Sequence, residues 1–342
     1  MNNKKQRGQF YTVNYEYILQ NLLDIIPFGS NIIEPFVGRG DLLKPFLSKN
    51  NNFYCYDIDD SNFHLIKNND IKCLIKQDTF LNIPDYSDKY IITNPPYLNK
   101  NKSIDKIYFN KYNEDDLYKC AIKSFMNFNV LGGILIIPIN FFSSIENNLL
   151  RKEFMEKFKI IKLNIFEEQV FPDTSYSVCS FSFILRNKID MNTDINTIIY
   201  PLNKQLYLNY NIDNNWILAN ELYNKKKNKY KISRLKENEI PNTNLLVKCI
   251  DDNIQINMSI SKNHYYGKNT DRSYLTLSII PIVSEEIQLL ICQKFNEKLN
   301  FYREKYHSLF LTNYRESNKN GGRKRINFEL IYSIVSTILD EI

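Results

Sequence analysis

Between residues 31 and 187 the chain alternates short apolar strands with helix-like stretches, and this pattern constrains its fold most. Strand candidates lie at 31–35 (NIIEP), 53–57 (FYCYD), 72–76 (KCLIK), 90–93 (YIIT), 133–138 (GILIIP), 161–166 (IKLNIF) and 178–185 (VCSFSFIL). Amphipathic helix candidates at 115–129 and 146–158 fall between several of them. Such alternation predicts an α/β fold with a doubly wound, mostly parallel sheet of seven strands. The last candidate follows 161–166 through a short loop and is expected to be the one antiparallel strand. A polar, turn-rich segment, MNTDINT at 191–197, marks a domain boundary. The chain is therefore read as a domain over 1–190 and a smaller mixed α+β domain over 191–342, with helices at 283–306 and 327–341.

Charge divides at nearly the same place. Residues 1–200 hold 23 Lys/Arg and 23 Asp/Glu, whereas 201–342 hold 21 and 15, so the whole net charge of +6 belongs to the later part. Two clusters carry it, one around Lys225, Lys226, Lys227 and Lys229, the other at Arg323, Lys324 and Arg325. Basic clusters are most often solvated faces, but two of them interleaved with tyrosines favour a polyanionic partner. No apolar run is long enough to span a bilayer, and the basic N-terminus lacks a signal peptide's apolar stretch, so an intracellular location is expected: cytoplasm, nucleoid or, for a viral protein, the host cell. Six cysteines without CxxC spacing and only three histidines give no readable metal site and point to reduced thiols in or near the core.

Three motifs carry chemistry. Glu34-Pro35-Phe36-Val37-Gly38-Arg39-Gly40 follows the first strand, and its glycines let the backbone turn tightly and approach a ligand. Taken alone it is an ordinary strand-to-helix turn. Asp57 ends the second strand, 17 residues beyond Gly40, where an acid can accept from ribose hydroxyls. Asp78, after the third strand, could accept from an adenine amino group, with Phe80 beside the ring. The third motif, Asn94-Pro95-Pro96-Tyr97, follows the fourth strand. An exocyclic amine is a poor nucleophile because its lone pair is delocalised into the ring. Two carbonyl oxygens accepting its N–H groups, from the Asn94 side chain and the Pro95 backbone, would favour a tetrahedral, attacking nitrogen. The prolines restrict φ and hold the acceptors in place. Tyr97 offers a face on which an extruded base could stack.

In this order the motifs resemble the γ-type N6-adenine DNA methyltransferases. Gly8-Gln9-Phe10-Tyr11-Thr12 is similar to the GQFYT-like segment that opens their sequence, and Val170-Phe171-Pro172-Asp173-Thr174-Ser175-Tyr176 to a later motif whose Phe packs on the flipped adenine. The resemblance covers roughly 6–187. It implies S-adenosylmethionine as cofactor, held by Gln9, Tyr11, Thr12, Glu34, Pro35, Gly38, Gly40, Asp57, Asp78, Phe80 and Asn94. Catalysis would fall to Asn94, Pro95, Pro96 and Tyr97, and stacking to Tyr97 and Phe171. The partner would be double-stranded DNA, with a companion restriction endonuclease as a candidate, and with neither membrane nor metal. Lys225, Lys226, Lys227, Lys229, Arg323, Lys324 and Arg325 would contact the DNA backbone from a target-recognition domain. Three rivals share features of the pattern: methyltransferases acting on glutamine amides of release factors, those acting on rRNA adenine, and an inactive DNA-binding descendant of the fold.

Overall fold

The computed structural model describes the chain except residues 1–7, 9–10, 67–68, 172–176, 188–192, 225–228, 268–271 and 316–322. It divides into two compact units, one of residues 1–141 and 149–209, the other of 142–148 and 210–342.

The first unit is built on one sheet. Its strands are β1 (Asn31–Glu34), β2 (Asn52–Asp57), β3 (Ile71–Lys76), β4 (Tyr90–Thr93), β5 (Gly132–Pro138), β6 (Phe158–Phe166), β7 (Val178–Leu185), β8 (Thr193–Tyr200) and β9 (Lys204–Tyr210). They lie in the order β3-β2-β1-β4-β5-β7-β6-β8-β9. β1 pairs in parallel with β2 and β4, and β4 with β5. β7 runs antiparallel to β5 and β6, as its short connection to β6 predicts. The sheet has nine strands rather than seven. β8 joins the far side of β6 in parallel register, Lys162 opposite Asn196 and Phe166 opposite Tyr200, and β9 follows at the edge. The boundary read at 190 therefore precedes two strands of the sheet, and the division falls after Asn209.

Burial follows the strand pattern. β5 lies at the centre, and all seven of its residues are buried, matching its unbroken apolar run. β2 alternates half-buried and buried positions at period two. Phe125, Phe154, Phe158, Phe181 and Phe183 form a core cluster of rings with centroids 5.0–6.4 Å apart. Each such ring contributes about 1.5–3 kcal/mol through burial. The main helices of this unit are α1 (Tyr15–Leu19), α2 (Ile107–Tyr112), α3 (Leu117–Phe125) and α4 (Asn148–Lys157), and a single helical turn spans Asn140–Ser143. Between β1 and β2 the chain makes only a 3-10 turn, Asp41–Phe46. Pro45 sits inside that turn, lacks an N–H and disfavours a longer α-helix.

In the second unit β10 (Lys231–Arg234), β11 (Leu245–Lys248), β12 (Asn257–Ile260) and β13 (Tyr274–Ile280) form an antiparallel sheet in the order β10-β13-β11-β12. Two helices accompany it, α5 (Glu285–Tyr306) and α6 (Phe328–Asp340), and a separate ribbon pairs β14 (Thr312–Arg315) with β15 (Arg323–Arg325). α5 begins at Ser284, whose Oγ accepts from the Ile287 N–H, and α6 at Asn327, whose Oδ1 accepts from the Leu330 N–H.

Candidate active site

In the first sheet the strand order reverses between β1 and β4. The chain goes outward from β1 through β2 to β3, then returns to β4 on the other side. Ligands of such sheets bind outside the carboxyl ends of the strands at this reversal, because the two following loops diverge and leave a crevice. The glycine motif leaves β1 there, and Asn94-Pro95-Pro96-Tyr97 leaves β4.

The loop after β1 is fixed from its neighbours. The Val37 N–H donates to the Tyr56 carbonyl at 2.9 Å, and the Gly38 N–H donates to Asp57 Oδ2 at 2.8 Å. Gly38 and Gly40 have φ of +50° and +76°, in the left-handed region. A Cβ on Gly38 would stand 3.3 Å from the Tyr11 ring, so that ring lies directly against the turn. Asp57 also accepts from the Asp59 N–H at 2.8 Å and is buried. It thus shapes the glycine loop from beneath.

Asn94 is 9% exposed, and both ends of its amide are engaged. Nδ2 donates to Thr12 Oγ1 at 2.9 Å, while Oδ1 accepts from the Tyr97 hydroxyl, which also lies 2.7 Å from the Ile136 carbonyl. The two contacts anchor the amide at both ends, one to the N-terminal segment and one within its own tetrapeptide. Gly8 brings the N-terminal segment here. Its carbonyl accepts from the Tyr97 N–H at 3.0 Å, its φ is +63°, and a Cβ there would lie 2.5 Å from the Tyr97 carbonyl oxygen. Burial holds the Tyr97 hydroxyl well above its ordinary pKa, so it remains a donor.

Tyr97 and Phe171 are each only 2% exposed. Neither presents the open ring face expected of a stacking pair: Tyr97 meets Tyr118 edge-on at 6.4 Å and directs its hydroxyl inward. Pro172 to Tyr176, quoted beside Phe171, lie outside the described residues, as does Gln9. Asp78 accepts from the N–H groups of Phe80 and Leu81 at 3.0 and 3.1 Å and from the Tyr108 hydroxyl at 2.6 Å. Phe80 is buried among Phe36, Tyr108 and Tyr112, with the nearest ring centroid 4.9 Å away.

A small cleft runs along Tyr11, Thr12, Gly38, Asp41 and Asn94. Asp41, which directly follows Gly40 in the glycine motif, has no site role in the sequence reading. Its Oδ1 meets Lys44 Nζ at 2.6 Å, whereas its buried Oδ2 has no hydrogen-bond partner among the described residues. Glu34 is similar. Oε1 accepts from Thr93 Oγ1 at 2.6 Å and the Phe36 N–H at 3.1 Å, and Oε2 is buried without a partner among the described residues. Burial pushes the Glu34 carboxyl up to about 8, against the hydrogen bonds that lower it. Orphaned carboxylate oxygens are costly to bury. The Asp41 oxygen, on the cleft wall, suits a ligand that brings positive charge, whereas the protonated Glu34, at the strand end leading to the cleft, would offer a hydrogen bond instead.

The proposed DNA contacts are placed less uniformly. Lys225, Lys226 and Lys227 lie outside the described residues, and Lys229 stacks its ammonium over Tyr230 at 5.2 Å. Arg323 and Arg325 are partly exposed, but Lys324 is 8% exposed and cannot serve as an open phosphate contact. β15 is the reason: successive side chains of a strand alternate, which turns Lys324 to the face opposite the two arginines. Among the described residues no group of three or more His, Cys, Asp or Glu could hold a metal ion, and no helix is long and apolar enough to cross a membrane.

No family model and no curated protein matches the chain. Among solved structures it is similar to a protein assigned as the modification subunit of a type I restriction enzyme from Vibrio vulnificus, at 13% identity, 58% of this chain, 49% of that one and a TM-score of 0.43. A type I restriction-modification system methyltransferase subunit from Streptococcus thermophilus gives 14%, 58%, 50% and 0.42. A protein assigned as a class I S-adenosylmethionine-dependent methyltransferase from Listeria monocytogenes gives 14%, 54%, 61% and 0.41. The chain spans about half the length of the first two. Similarity of this degree leaves the functional reading to the residues themselves.

Proposed function

We propose that the chain is an S-adenosylmethionine-dependent methyltransferase acting on the N6 amine of adenine in double-stranded DNA. The observation that carries this reading is the Asn94 amide, buried at the β1/β4 reversal and oriented by Thr12 and Tyr97 beside the glycine loop. Such an arrangement suits an amine nucleophile, whose two N–H groups would be accepted by Asn94 Oδ1 and the Pro95 carbonyl. With Asn94 anchored by its contacts and Pro95 restricted by the proline that follows it, little reorganisation would accompany the change in geometry at nitrogen.

S-adenosylmethionine supplies an already activated methyl group. The unpartnered oxygen of Asp41 fits its positively charged end, while Tyr11 and Gly38 line the cleft and Asp57 holds the Gly38 loop in shape. Asn94 acts as an acceptor and not as a general base, and the amine proton leaves to solvent after transfer. Adenine N6 lies inside a duplex, so the base must be extruded to reach Asn94. With Tyr97 and Phe171 both covered, its entry has to displace what lies over them.

The test is methyl transfer from radiolabelled S-adenosylmethionine to duplex DNA, RNA and a release factor side by side, with N6-methyladenine identified in the product. Label is expected in duplex DNA, and Asn94→Ala is expected to abolish it while leaving calorimetric cofactor affinity within a few-fold of wild type. Label in RNA or in a glutamine amide instead would replace the substrate assignment. Near-wild-type turnover by Asn94→Ala would remove the catalytic role.

A further inference from the structure

The catalytic unit has a basic surface of its own, directly after Tyr97. Between residues 100 and 111 stand Lys100, Lys102, Lys106 and Lys111 against a single acid, Asp105. Elsewhere in the unit Lys44, Lys89, Lys119 and Lys162 each lie within 3.4 Å of a carboxylate. The four lysines of this stretch have no carboxylate partner among the described residues. Lys100 Nζ donates to Asn110 Oδ1 at 3.2 Å, and Lys111 Nζ to the Phe80 and Leu81 carbonyls at 2.7 and 3.0 Å. Lys106 Nζ donates to the Lys100 and Ser103 carbonyls. The neighbouring acids are engaged elsewhere: Asp115 with Lys119, and Asp116 with the Leu98 N–H. Positive charge is therefore concentrated locally in a chain segment that is neutral over its first 200 residues.

The stretch is also firmly built. Leu98 and Lys100 donate backbone N–H groups to Asp116 Oδ1 and the Asp115 carbonyl at 3.1 and 2.7 Å, and Asn99 bridges Asp116. Asn99 Oδ1 caps the 3-10 turn over Lys100–Lys102, and Ser103 Oγ donates to the Asp105 carbonyl at 2.7 Å. Lys106 closes the turn from inside. At the tip stands Ile104, 78% exposed, with Ile107 at 47%. A rigid turn that lifts an isoleucine into water between lysines, shortly beyond the proposed catalytic tetrapeptide, suits a polyanion with apolar faces between its charges.

We propose that Lys100, Lys102 and Ile104 form a duplex-DNA contact belonging to the catalytic unit, the lysines meeting phosphates and Ile104 an apolar sugar or base surface. This rests on the methyltransferase reading above, and it adds a DNA surface that the overall charge of the segment conceals. Lys106 and Lys111, whose ammonium groups fasten the turn to carbonyls, support the contact.

The test is the salt dependence of binding to a fluorescein-labelled random-sequence duplex of about 30 base pairs, using the full chain. Each phosphate contact contributes about 0.9 to the slope of log affinity against log salt, so Lys100→Gln with Lys102→Gln should lower that slope by about 1.8. Lys72→Gln, on β3 at the sheet edge, should leave it unchanged. Ile104→Ala should weaken binding roughly five-fold at every salt concentration without altering the slope. A slope unchanged in the double variant, or lowered equally by Lys72→Gln, overturns the contact while leaving the methyltransferase reading standing. A wild-type chain that binds S-adenosylmethionine by calorimetry but no duplex overturns the contact together with the duplex-DNA substrate assignment.

Discussion

At Glu34 one side chain joins fold, charge and proposed function. The carboxyl ends β1, receives Thr93 from β4 and the Phe36 N–H from its own loop, and so ties the two strands at the crevice. Its second oxygen has no partner among the described residues, and burial raises its pKa from 4.5 to about 8. The folded state thus holds a proton that the unfolded chain releases. Between about pH 4.5 and 8 the native state binds more protons than the unfolded one, so stability falls as pH rises through that window. A tenfold difference in proton affinity between the two states corresponds to about 1.4 kcal/mol, which makes the effect a few kcal/mol in order of magnitude. Asp116, raised from 3.8 to about 7 by burial, adds a dependence of the same sign. Glu34→Gln copies the neutral form and is expected to flatten the fall in melting temperature between pH 5 and 8, leaving the Asp116 part. Parallel wild-type and variant curves would show that Glu34 is ionised throughout. The motif containing Glu34 was legible in the sequence because a glycine turn has a local signature. The engagement of Asn94 by Thr12 was not, because 82 residues separate them and only the fold brings them together.

Elements show the same division between local and remote information. The seven strands over 31–187 were readable from apolar runs, and α5 and α6 from helical periodicity, to within a few residues at each end. β8 was hidden by its composition: Thr193-Asp194-Ile195-Asn196-Thr197 reads as a turn, yet β6 offers it a parallel edge that only tertiary structure supplies. β15 was read as a charged cluster when it is a strand, and that changes what its residues can do. Arg323 and Arg325 share one face, whereas Lys324 faces inward and its carbonyl accepts from the Asp251 N–H at 3.0 Å. Arg323→Ala with Arg325→Ala is expected to lower the salt slope of duplex binding by up to about 1.8. Lys324→Ala should leave the slope alone and lower the melting temperature instead, since it empties a buried position. A slope that responds to Lys324 as strongly as to the arginines would place that ammonium on the DNA after all.

At the scale of the whole molecule, the extension of the sheet past residue 190 decides where the chain can be cut. β8 buries Ile195, Ile199 and Tyr200, and β9 buries Leu208. Tyr200 stacks on Phe166 at 5.6 Å and 17°, meets the edge of Tyr17, and accepts from Asn21 Nδ2 at 3.1 Å. A chain ending at residue 190 would lose all of these and bare the hydrogen-bonding edge of β6 from Lys162 to Phe166. Four buried apolar side chains at about 1.5–3 kcal/mol each approach the whole stability of an ordinary domain, about 5–15 kcal/mol. An exposed strand edge also invites pairing with other copies. A chain ending at Asn209 keeps both strands apart from the terminal residue Tyr210. Either truncation strips the packing of Phe142 on Tyr210, so that loss cancels in the comparison. The chain ending at 209 is therefore expected to melt cooperatively and at higher temperature, and the chain ending at 190 to aggregate or melt without a sharp transition. Equal melting curves for the two would show that β8 and β9 contribute nothing to the first unit and would return the boundary to 190.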